Sequence, residues 1–286
     1  MKIARFLKYI SSIGFALLAL GLLAKPCAAD AARSIVNFSG EDGASLQGYY
    51  YKPAGAGPFP AVLYNHGSET NVSGFPQLGK YFTDHGFVFF VPCRRGQGLS
   101  ASAGTSIREQ GQALHQSGLK GKQIAAQMIG LHEAANHDVL AGLKWLKAQP
   151  EVNAKEIVVS GVSYGGIQTL LTAEQDAKQS LHVKAFVAFA PAAMSWNPTL
   201  GERLGKAIKS AKAPIFVIQA ENDYNLGPSQ YFDPILVAKG GLNRGKIYPA
   251  FGTNHQEGHG KFAATEPGTE IWGADVLGFL KECGVI

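Results

Sequence analysis

The amino-acid sequence predicts an α/β fold, a mostly parallel eight-stranded sheet with helices on both faces. Short apolar runs without polar alternation recur along the chain, as strands buried on both faces require. Amphipathic segments separate these runs, and strand–helix alternation of this length implies parallel strands joined by right-handed crossovers. No repeat or low-complexity segment interrupts this order in the 286 residues.

The first 29 residues differ in composition from the rest of the chain. A basic front precedes an apolar core at 10–24, and small residues follow it. This order is typical of a secretory signal peptide, and the apolar core is shorter than the roughly 20 residues of a membrane span. An uncleaved membrane anchor is the alternative. We expect cleavage just after Ala29 or Ala31 and export to the periplasm or the exterior, with membrane contact only through the signal peptide.

Cleavage changes the electrostatic character of the protein. Residues 1–29 carry four basic residues and no acid, so their removal lowers the formal net charge from +5 to +1. A nearly neutral protein gives no indication of nucleic-acid binding. Residues 30–286 have the length and apolar content of a single α/β domain. Cys93 and Cys283 remain, too few for a disulfide framework. Nothing here predicts an oligomeric state.

The elements follow in order along the chain. Residues 33–39 and 44–53 predict an antiparallel hairpin around the turn at 40–43. Apolar runs predict six buried strands, at 59–65, 87–93, 156–162, 183–190, 213–220 and 246–251. Amphipathic periodicity predicts helices at 76–86, 137–150, 165–178, 200–212, 228–240 and 270–283.

Residues 101–131 break this alternation. The segment is longer than an ordinary connection of about 2–6 residues. It is polar and rich in Gln and Gly, and its pattern becomes partly helical from about Lys120. It is either a lid over a pocket or a surface excursion, and the sequence leaves both interpretations open.

The stretch Gly-Val-Ser-Tyr-Gly at 161–165 directly follows the third of the six apolar runs. A serine between glycines at a strand-to-helix turn is typical of a nucleophile held above a sheet, which predicts Ser163 for that role. The motif is weak evidence by itself. A serine hydroxyl needs a base, the base needs an orienting acid, and on such folds the chain order is Ser, Asp or Glu, then His.

An acid follows the run at 213–220, as this order requires. Asp223 lies three residues beyond the run in a turn-rich segment. Glu221 is too close to the strand end to reach outward, and Asp233 falls in the next predicted helix. We therefore interpret Asp223 as the orienting acid.

Two histidines, His255 and His259, follow the run at 246–251. Four-residue spacing on a helix could bind a metal, but the neighbouring glycines predict a loop here and no third ligand is evident, so we expect no metal site. We interpret His259 as the base because its flanking glycines let the ring turn back over the sheet. His255 is the alternative base.

An oxyanion hole needs two backbone N–H donors. Tyr164, after the serine, supplies one, and we expect Ser68, just past His66 in the loop after 59–65, to supply the other. His66 borders this pocket, and we interpret it as holding the loop rather than taking part in chemistry. Trp196, together with 101–131, is the candidate for shaping the acyl or alcohol pocket.

Five segments together resemble a known family. "NHGSE", "VPCRRGQGLS", "GVSYGG", "QAENDYNLGPS" and "FGTNHQEGHG" are similar to motifs of the dienelactone-hydrolase-like branch of the α/β-hydrolase superfamily, and the resemblance extends from about residue 45 to the C-terminus. It implies the α/β-hydrolase fold, with Ser163 as nucleophile, Asp223 as acid and His259 as base. Dienelactone hydrolase proper has a cysteine where this chain has Ser163, a departure that favours a general serine esterase.

The sequence therefore predicts hydrolysis of a small-molecule carboxylic ester through an acyl-enzyme, without metal or organic cofactor. A peptidase similar to the catalytic domain of prolyl oligopeptidase is the second interpretation, weakened by the lack of a large N-terminal propeller. A catalytically silent binding protein is the third, and the presence of all three triad residues disfavours it.

Overall fold

The computed structural model describes residues 33–286, which form an eight-stranded sheet with the order β1-β2-β4-β3-β5-β6-β7-β8. Strands β1 and β2 form an antiparallel hairpin, β2 pairs antiparallel with β4, and all other neighbours are parallel. The strands are β1 Arg33–Ser39, β2 Ser45–Tyr51, β3 Phe59–Asn65, β4 Val88–Pro92, β5 Val152–Val162, β6 Ala185–Phe189, β7 Ile215–Ala220 and β8 Arg244–Tyr248. The predicted mostly parallel, eight-stranded sheet is confirmed.

Helices cover both faces of this sheet, as predicted. The helices are α1 Pro76–Asp84, α2 Ile107–Gln116, α3 Lys122–Lys147, α4 Tyr164–Gln179, α5 Pro198–Ser210, α6 Gly227–Lys239, α7 Phe262–Ala264 and α8 Glu266–Glu282. Residues of α1 and α8, among them Phe82 and Trp272, pack in one apolar core. Residues of α3 to α6, among them Leu143 and Ile167, pack in the other core, across the sheet.

Two strand boundaries differ from the sequence-based expectation. β8 ends at Tyr248 rather than at residue 251, because Pro249 has no N–H to donate to a neighbouring strand. β5 begins at Val152, four residues before the predicted start. Its early pairing with Phe59 is separated by a register shift from the regular ladder that begins at Ala61.

The segment 101–131 contains more helix than its composition indicated. Helix α2 begins at a capping box, in which Ser106 Oγ accepts a hydrogen bond from Glu109 N (3.2 Å) and the Glu109 carboxylate accepts one from Ser106 N (2.9 Å). The Ser-x-x-Glu spacing is a sequence signal for this helix start. Helix α3 then runs unbroken from Lys122, so the helix predicted at 137–150 is only its second half.

The loop predicted around His255 and His259 is in fact helical, and the expectation of a non-helical loop was wrong. Residues Glu257–Lys261 form a π-helical turn. Gly258 does not break the turn. It lets the turn pack against β7's following loop, since a Cβ there would lie 2.3 Å from Asn222 Oδ1.

The predicted signal peptide lies outside the described residues. Within 33–286, no helix has both the length and the apolarity needed to cross a membrane. Cys93 is buried, Cys283 is partly buried, and neither is in a disulfide.

Candidate active site

Ser163 occupies the turn between β5 and α4, at the carboxyl end of a central strand. Its backbone has φ 59° and ψ −117°, a conformation with positive φ that costs a non-glycine residue energy. The surrounding structure holds it there, because Ser163 N donates to Phe189 O (2.9 Å) and Ser163 O accepts from Ile167 N (3.1 Å). The turn therefore lifts the serine side chain out of the sheet at the start of a helix.

The glycines around Ser163 are required by close packing. A Cβ on Gly165 would lie 1.9 Å from Asn65 O, and one on Gly161 would lie 2.6 Å from Asn65 Cβ. The end of β3 thus passes directly against the serine turn. The same contact brings the loop after β3 over Ser163, where a Cβ on Gly67 would lie 3.8 Å from Ser163 Cβ.

Asp223 and His259 meet beside this turn. His259 Nδ1 lies 2.8 Å from Asp223 Oδ1, and the Asp223 side chain has no solvent exposure. The carboxylate accepts from Nδ1, which assigns the proton to that nitrogen and leaves Nε2 as the acceptor. Nε2 is buried and has no hydrogen-bond partner in the part of the chain that the structure describes. The imidazole is therefore oriented with a free basic nitrogen.

The Asp223 carboxylate is held by two further donors. Tyr224 N donates to Oδ1 (2.6 Å), and Gln219 Nε2 donates to Oδ2 (3.0 Å). Gln219 is fixed in turn, because Nε2 also donates to Asn225 O (2.7 Å) and Oε1 accepts from Ser229 Oγ (2.6 Å). A chain of side-chain hydrogen bonds from β7 and α6 thus sets the position of the acid.

Asn222 joins the two loops that carry the acid and the histidine. Its Nδ2 donates to Phe251 O (2.9 Å) and Asn254 O (3.1 Å), and its Oδ1 accepts from Phe251 N (2.8 Å). His255 Nδ1 donates to Asn222 O (2.9 Å). These bonds fix the loop after β8 against the loop after β7.

The predicted oxyanion donors lie on opposite sides of Ser163. Tyr164 is the first residue of α4, where backbone N–H groups have no intrahelical acceptor. Ser68 follows Gly67 in the loop above the serine, and its N–H donates to no described residue. The helix N-terminus adds a partial positive charge at the same place. These two N–H groups are therefore candidates to bind the oxygen of a substrate carbonyl that Ser163 attacks.

A buried arginine holds the Ser68 side of this arrangement. Arg94 Nη2 donates to His66 O and to Gly67 O, both at 2.7 Å, and lies 2.9 Å from His66 Nδ1. Its guanidinium carbon lies 4.7 Å from the centre of the Tyr164 ring. Arg94 therefore contacts the loop of one predicted oxyanion donor and the side chain of the other.

His66 is completely buried and acts within this support. Burial and the neighbouring Arg94 charge hold the pKa of His66 well below its usual 6.5, so the ring is neutral. Burial also lowers the pKa of Arg94, although arginine remains protonated in proteins. His66 lines neither cavity at Ser163, so its prediction as a pocket residue is corrected, because its side chain faces Arg94 inside the loop.

Two cavities meet at Ser163. The larger, of about 410 Å³, is lined by Ser68, Tyr164 and residues of α2 and α3. The smaller, of about 230 Å³, is lined by Gly67, Ser68 and His259. The segment 101–131 therefore forms one wall of the larger cavity, with Ile107 and Met128 among its lining residues.

Two other predicted residues lie away from the reacting groups. Trp196 lines neither cavity; its ring packs between α5 and α6, against Gly201 and Phe232, and the preceding Met194 and Ser195 line the larger cavity instead. The apolar surface between the two helices accounts for this position. His255 is exposed and has no contact with Asp223.

Sequence reasoning missed Arg94, Gln219, Asn222 and His132. Arg94 lies within the segment "VPCRRGQGLS", which contributes to the family resemblance. Gln219 and Asn222 belong to the same segment as Asp223. No local spacing signals Arg94 or Asn222, because their partners are 27 to 32 positions away. The partners of Gln219 are 4 to 10 positions away and depend on how the turn after β7 folds. Among residues 33–286, no group of three or more His, Cys, Asp or Glu could hold a metal ion.

Solved structures with the same architecture define the class of fold. The esterase Est22 aligns with a TM-score of 0.65 and 18% identity, over 88% of this chain and 81% of that one. The acylaminoacyl peptidase of Pyrococcus horikoshii aligns with a TM-score of 0.57 and 20% identity, over 81% of this chain and 38% of that one. The fold is that of the α/β-hydrolases.

The sequence comparisons are more specific. The model of the dienelactone hydrolase family matches residues 46–266, and the chain belongs to that family. A curated relative, the polyketide transferase grgF of a Penicillium species, is 29% identical over 161 residues, which are 56% of this chain. The match spans 45% of that relative's length.

Proposed function

We propose that this chain is a serine hydrolase that cleaves small-molecule carboxylic esters through an acyl-enzyme. Ser163 is the nucleophile, His259 the general base and Asp223 the residue that orients the imidazole. The observation that carries the proposal is the His259 ring, which lines a cavity together with Ser163, has Nδ1 on a buried carboxylate and has no partner for Nε2 among residues 33–286. Membership of the dienelactone hydrolase family supports hydrolysis.

The reaction begins with substrate bound across Ser163. His259 Nε2 takes the hydroxyl proton as Ser163 Oγ attacks the ester carbonyl, and the carbonyl oxygen becomes an oxyanion between the N–H groups of Tyr164 and Ser68. Each such donor contributes about 3 kcal/mol of transition-state stabilisation. Asp223 stabilises the imidazolium and fixes its tautomer without taking the proton. Collapse expels the alkoxide, which leaves as alcohol after receiving the proton from His259.

Water completes the cycle. His259 removes a proton from water as the oxygen attacks the acyl-enzyme, and Ser163 is released when the second tetrahedral intermediate collapses. The residues required are those of the chain itself, so the mechanism uses no metal or organic cofactor.

The position of His259 supports a proposal for which half of the ester each cavity binds. A general acid must reach the leaving oxygen, so the alcohol portion lies on the His259 side, in the 230 Å³ cavity. The acyl portion then occupies the 410 Å³ cavity, which Ser163 and both oxyanion donors line and His259 does not. The larger volume thus belongs to the acyl group.

Labelling with a fluorophosphonate probe tests the activated serine directly. Wild type is expected to label and Ser163→Ala to remain unlabelled, with turnover reduced by about 10⁶-fold. A parallel assay compares p-nitrophenyl acetate and butyrate with a chromogenic dipeptide, and esters are expected to be preferred. A folded wild type that neither labels nor turns over would support the catalytically silent binding protein instead.

Acyl transfer to an acceptor other than water is a second candidate, favoured by the similarity to a polyketide transferase. The same acyl-enzyme would serve both reactions. Adding alcohols or amines to a p-nitrophenyl ester assay separates them, because a transferase forms the new ester or amide while a hydrolase releases the free acid.

We also infer that residues 1–29 are a signal peptide and that residues 30–286 are the mature single domain, exported to the periplasm or the exterior. The basic front and the short apolar core support this. N-terminal sequencing of the protein from fractionated cells tests it, with a new N-terminus expected just after Ala29 or Ala31.

A further inference from the structure

His132 is a buried histidine in the acyl cavity that the mechanism above does not use. It lies in α3, and its side chain lines the cavity together with Ser163 and Tyr164. The centres of the His132 and Tyr164 rings are 5.3 Å apart. The His132 carbonyl accepts from Gln168 Nε2 (3.0 Å), which fixes this part of α3 against α4. The His132 ring therefore lies next to the side chain of Tyr164, whose backbone N–H is a predicted oxyanion donor.

The imidazole has no hydrogen-bond partner among residues 33–286. Nδ1 is buried without a hydrogen bond, and no described residue pairs with the other ring nitrogen. Only 5% of the residue is exposed. Burial lowers its pKa to about 4, so the ring is neutral at ordinary pH. A neutral imidazole offers one N–H donor and one acceptor, and a buried polar group left unpaired is costly.

The residues around the His132 ring limit which ligand groups could hydrogen-bond to it. The inner wall of the cavity is apolar, formed by Ile107, Met128, Ile167 and the Tyr164 ring. The charged and amide side chains, Arg108 and Gln112, are exposed on α2 at the rim. No Asp or Glu lines this cavity. His115 and Ser195 also line the cavity but are exposed. Away from Ser163 and Ser68, the interior therefore offers two polar groups without a described partner, the His132 imidazole and the buried Tyr164 hydroxyl.

We propose that His132 is a specificity-determining residue that hydrogen-bonds an uncharged oxygen within the acyl chain, so that the preferred substrates are esters of oxo- or hydroxy-acyl groups rather than of plain fatty acids. The inference rests on the proposed ester hydrolysis and names its substrate class. The inner wall carries no cation to pair with a carboxylate, which is why the oxygen is a ketone or hydroxyl.

Matched ester pairs test this. kcat/KM is measured for p-nitrophenyl 4-oxopentanoate against pentanoate and for 5-oxohexanoate against hexanoate, and each ratio is divided by the corresponding ratio of hydroxide-catalysed rates. In wild type, at least one corrected ratio is expected to be about 10 or more, the contribution of one hydrogen bond at a buried site. In His132→Phe the ratio is expected to fall to about unity, because the ring can no longer hydrogen-bond the acyl oxygen.

Three controls give the result its meaning. His132→Gln keeps a donor and an acceptor and is expected to retain part of the preference. Met128→Leu changes the same cavity without a polar group and is expected to retain all of it. An alcohol-side pair, 2-methoxyethyl butanoate and butyl butanoate, is expected to show no preference, since that half lies beside His259.

The outcomes separate this inference from the proposed function. Corrected ratios near unity in wild type overturn it even if His132→Phe does not fold, and so does a preference that survives in a folded His132→Phe. Preference for the carboxylate ester mono-p-nitrophenyl adipate over both oxo esters also overturns it, in favour of an acidic acyl group paired with Arg108. Failure to hydrolyse any ester would instead refute the proposed function.

Discussion

The two sides of Ser163 are held by opposite kinds of interaction. On the acid–base side, the buried Asp223 carboxylate accepts three N–H donors, from His259, Tyr224 and Gln219. On the oxyanion side, the buried Arg94 guanidinium donates to two backbone carbonyls, and its Nε and Nη1 have no partner among the described residues. No described carboxylate hydrogen-bonds to Arg94.

The acid–base side therefore depends on the orientation of side chains, and the oxyanion side depends on the positive charge of Arg94. The donors around Asp223 fix the position of its carboxylate, so the acid–base side depends on how the His259 ring is oriented. Arg94 hydrogen-bonds to backbone carbonyls and contacts the Tyr164 ring, but it hydrogen-bonds to no described carboxylate. Positive potential is therefore expected to remain beside the place where the oxyanion forms, in a site of low dielectric constant. Substitutions on the first side should therefore impair proton transfer, and those on the second should weaken transition-state binding.

The largest effect is expected from Asp223→Asn. The amide keeps the shape of the side chain but cannot hold His259 with its proton on Nδ1, so kcat should fall by about 10⁴-fold. Steady-state kinetics with p-nitrophenyl butyrate measures this. The control is His255→Ala. His255 hydrogen-bonds to Asn222 O rather than to Asp223, so kcat should be unchanged. A large loss in His255→Ala with little loss in Asp223→Asn would transfer the base assignment to His255.

Arg94→Met comes next and tests the oxyanion side. The loss of one oxyanion donor typically lowers kcat by about 10²–10³-fold. Because Arg94 acts through the loop, we expect about 10²-fold in kcat with KM little changed. The affinity for a boronic acid analogue of the tetrahedral intermediate should fall in parallel, while that for a non-reacting substrate analogue should not.

Two variants serve as controls for Arg94. Arg94→Lys keeps the charge but loses the fork that reaches two carbonyls, so its kcat should be intermediate. Arg95→Lys changes the neighbouring residue, which pairs with Asp138 and Asp42 away from the serine, and it should leave kcat unchanged. Equal loss of analogue and substrate binding in Arg94→Met would mean that Arg94 only maintains the fold.

The same contrast explains what the sequence could predict. The sequence predicted the buried strands because their apolar runs are a local pattern. It predicted Ser163, Asp223 and His259 because each follows a strand, and parallel strands end at the same edge of the sheet. Arg94 was not predicted, because its partners belong to another loop. Gln219 was not predicted, because its nearby partners depend on the conformation of the turn after β7. Trp196 was assigned to the pocket from its place after a strand, whereas the apolar gap between α5 and α6 determined where its ring lies.

Segment 101–131 offers a smaller test on the oxyanion side, where it forms a wall of the acyl cavity. Deleting 103–118 removes α2 and opens that wall, so the ratio of kcat/KM for octanoate to that for acetate should change by about 10-fold. Gly111→Leu is the milder counterpart, because a side chain there would meet Met128 and narrow the cavity; it should disfavour octanoate. Specificity unchanged in both variants would identify the segment as a surface excursion only.

The smallest loss of kcat is expected for substitution of Gln219, which is connected to His259 through two hydrogen bonds, by way of Asp223. Gln219→Met keeps the volume but removes the donor to Asp223, and kcat should fall by about 5-fold with KM unchanged, since Tyr224 N still holds the carboxylate. Ser229→Ala should cost less, because Ser229 reaches the acid only through Gln219.

The double variant Gln219→Met/Ser229→Ala then decides whether these residues act in series. If Ser229 acts only by orienting Gln219, removing Ser229 from the Gln219→Met background should change kcat no further, so the two effects will not add. Additive effects, or a melting temperature that falls in proportion to kcat, would show that the two side chains merely stabilise the start of α6. Non-additive effects at constant melting temperature would show that Ser229 helps to orient Asp223 through Gln219.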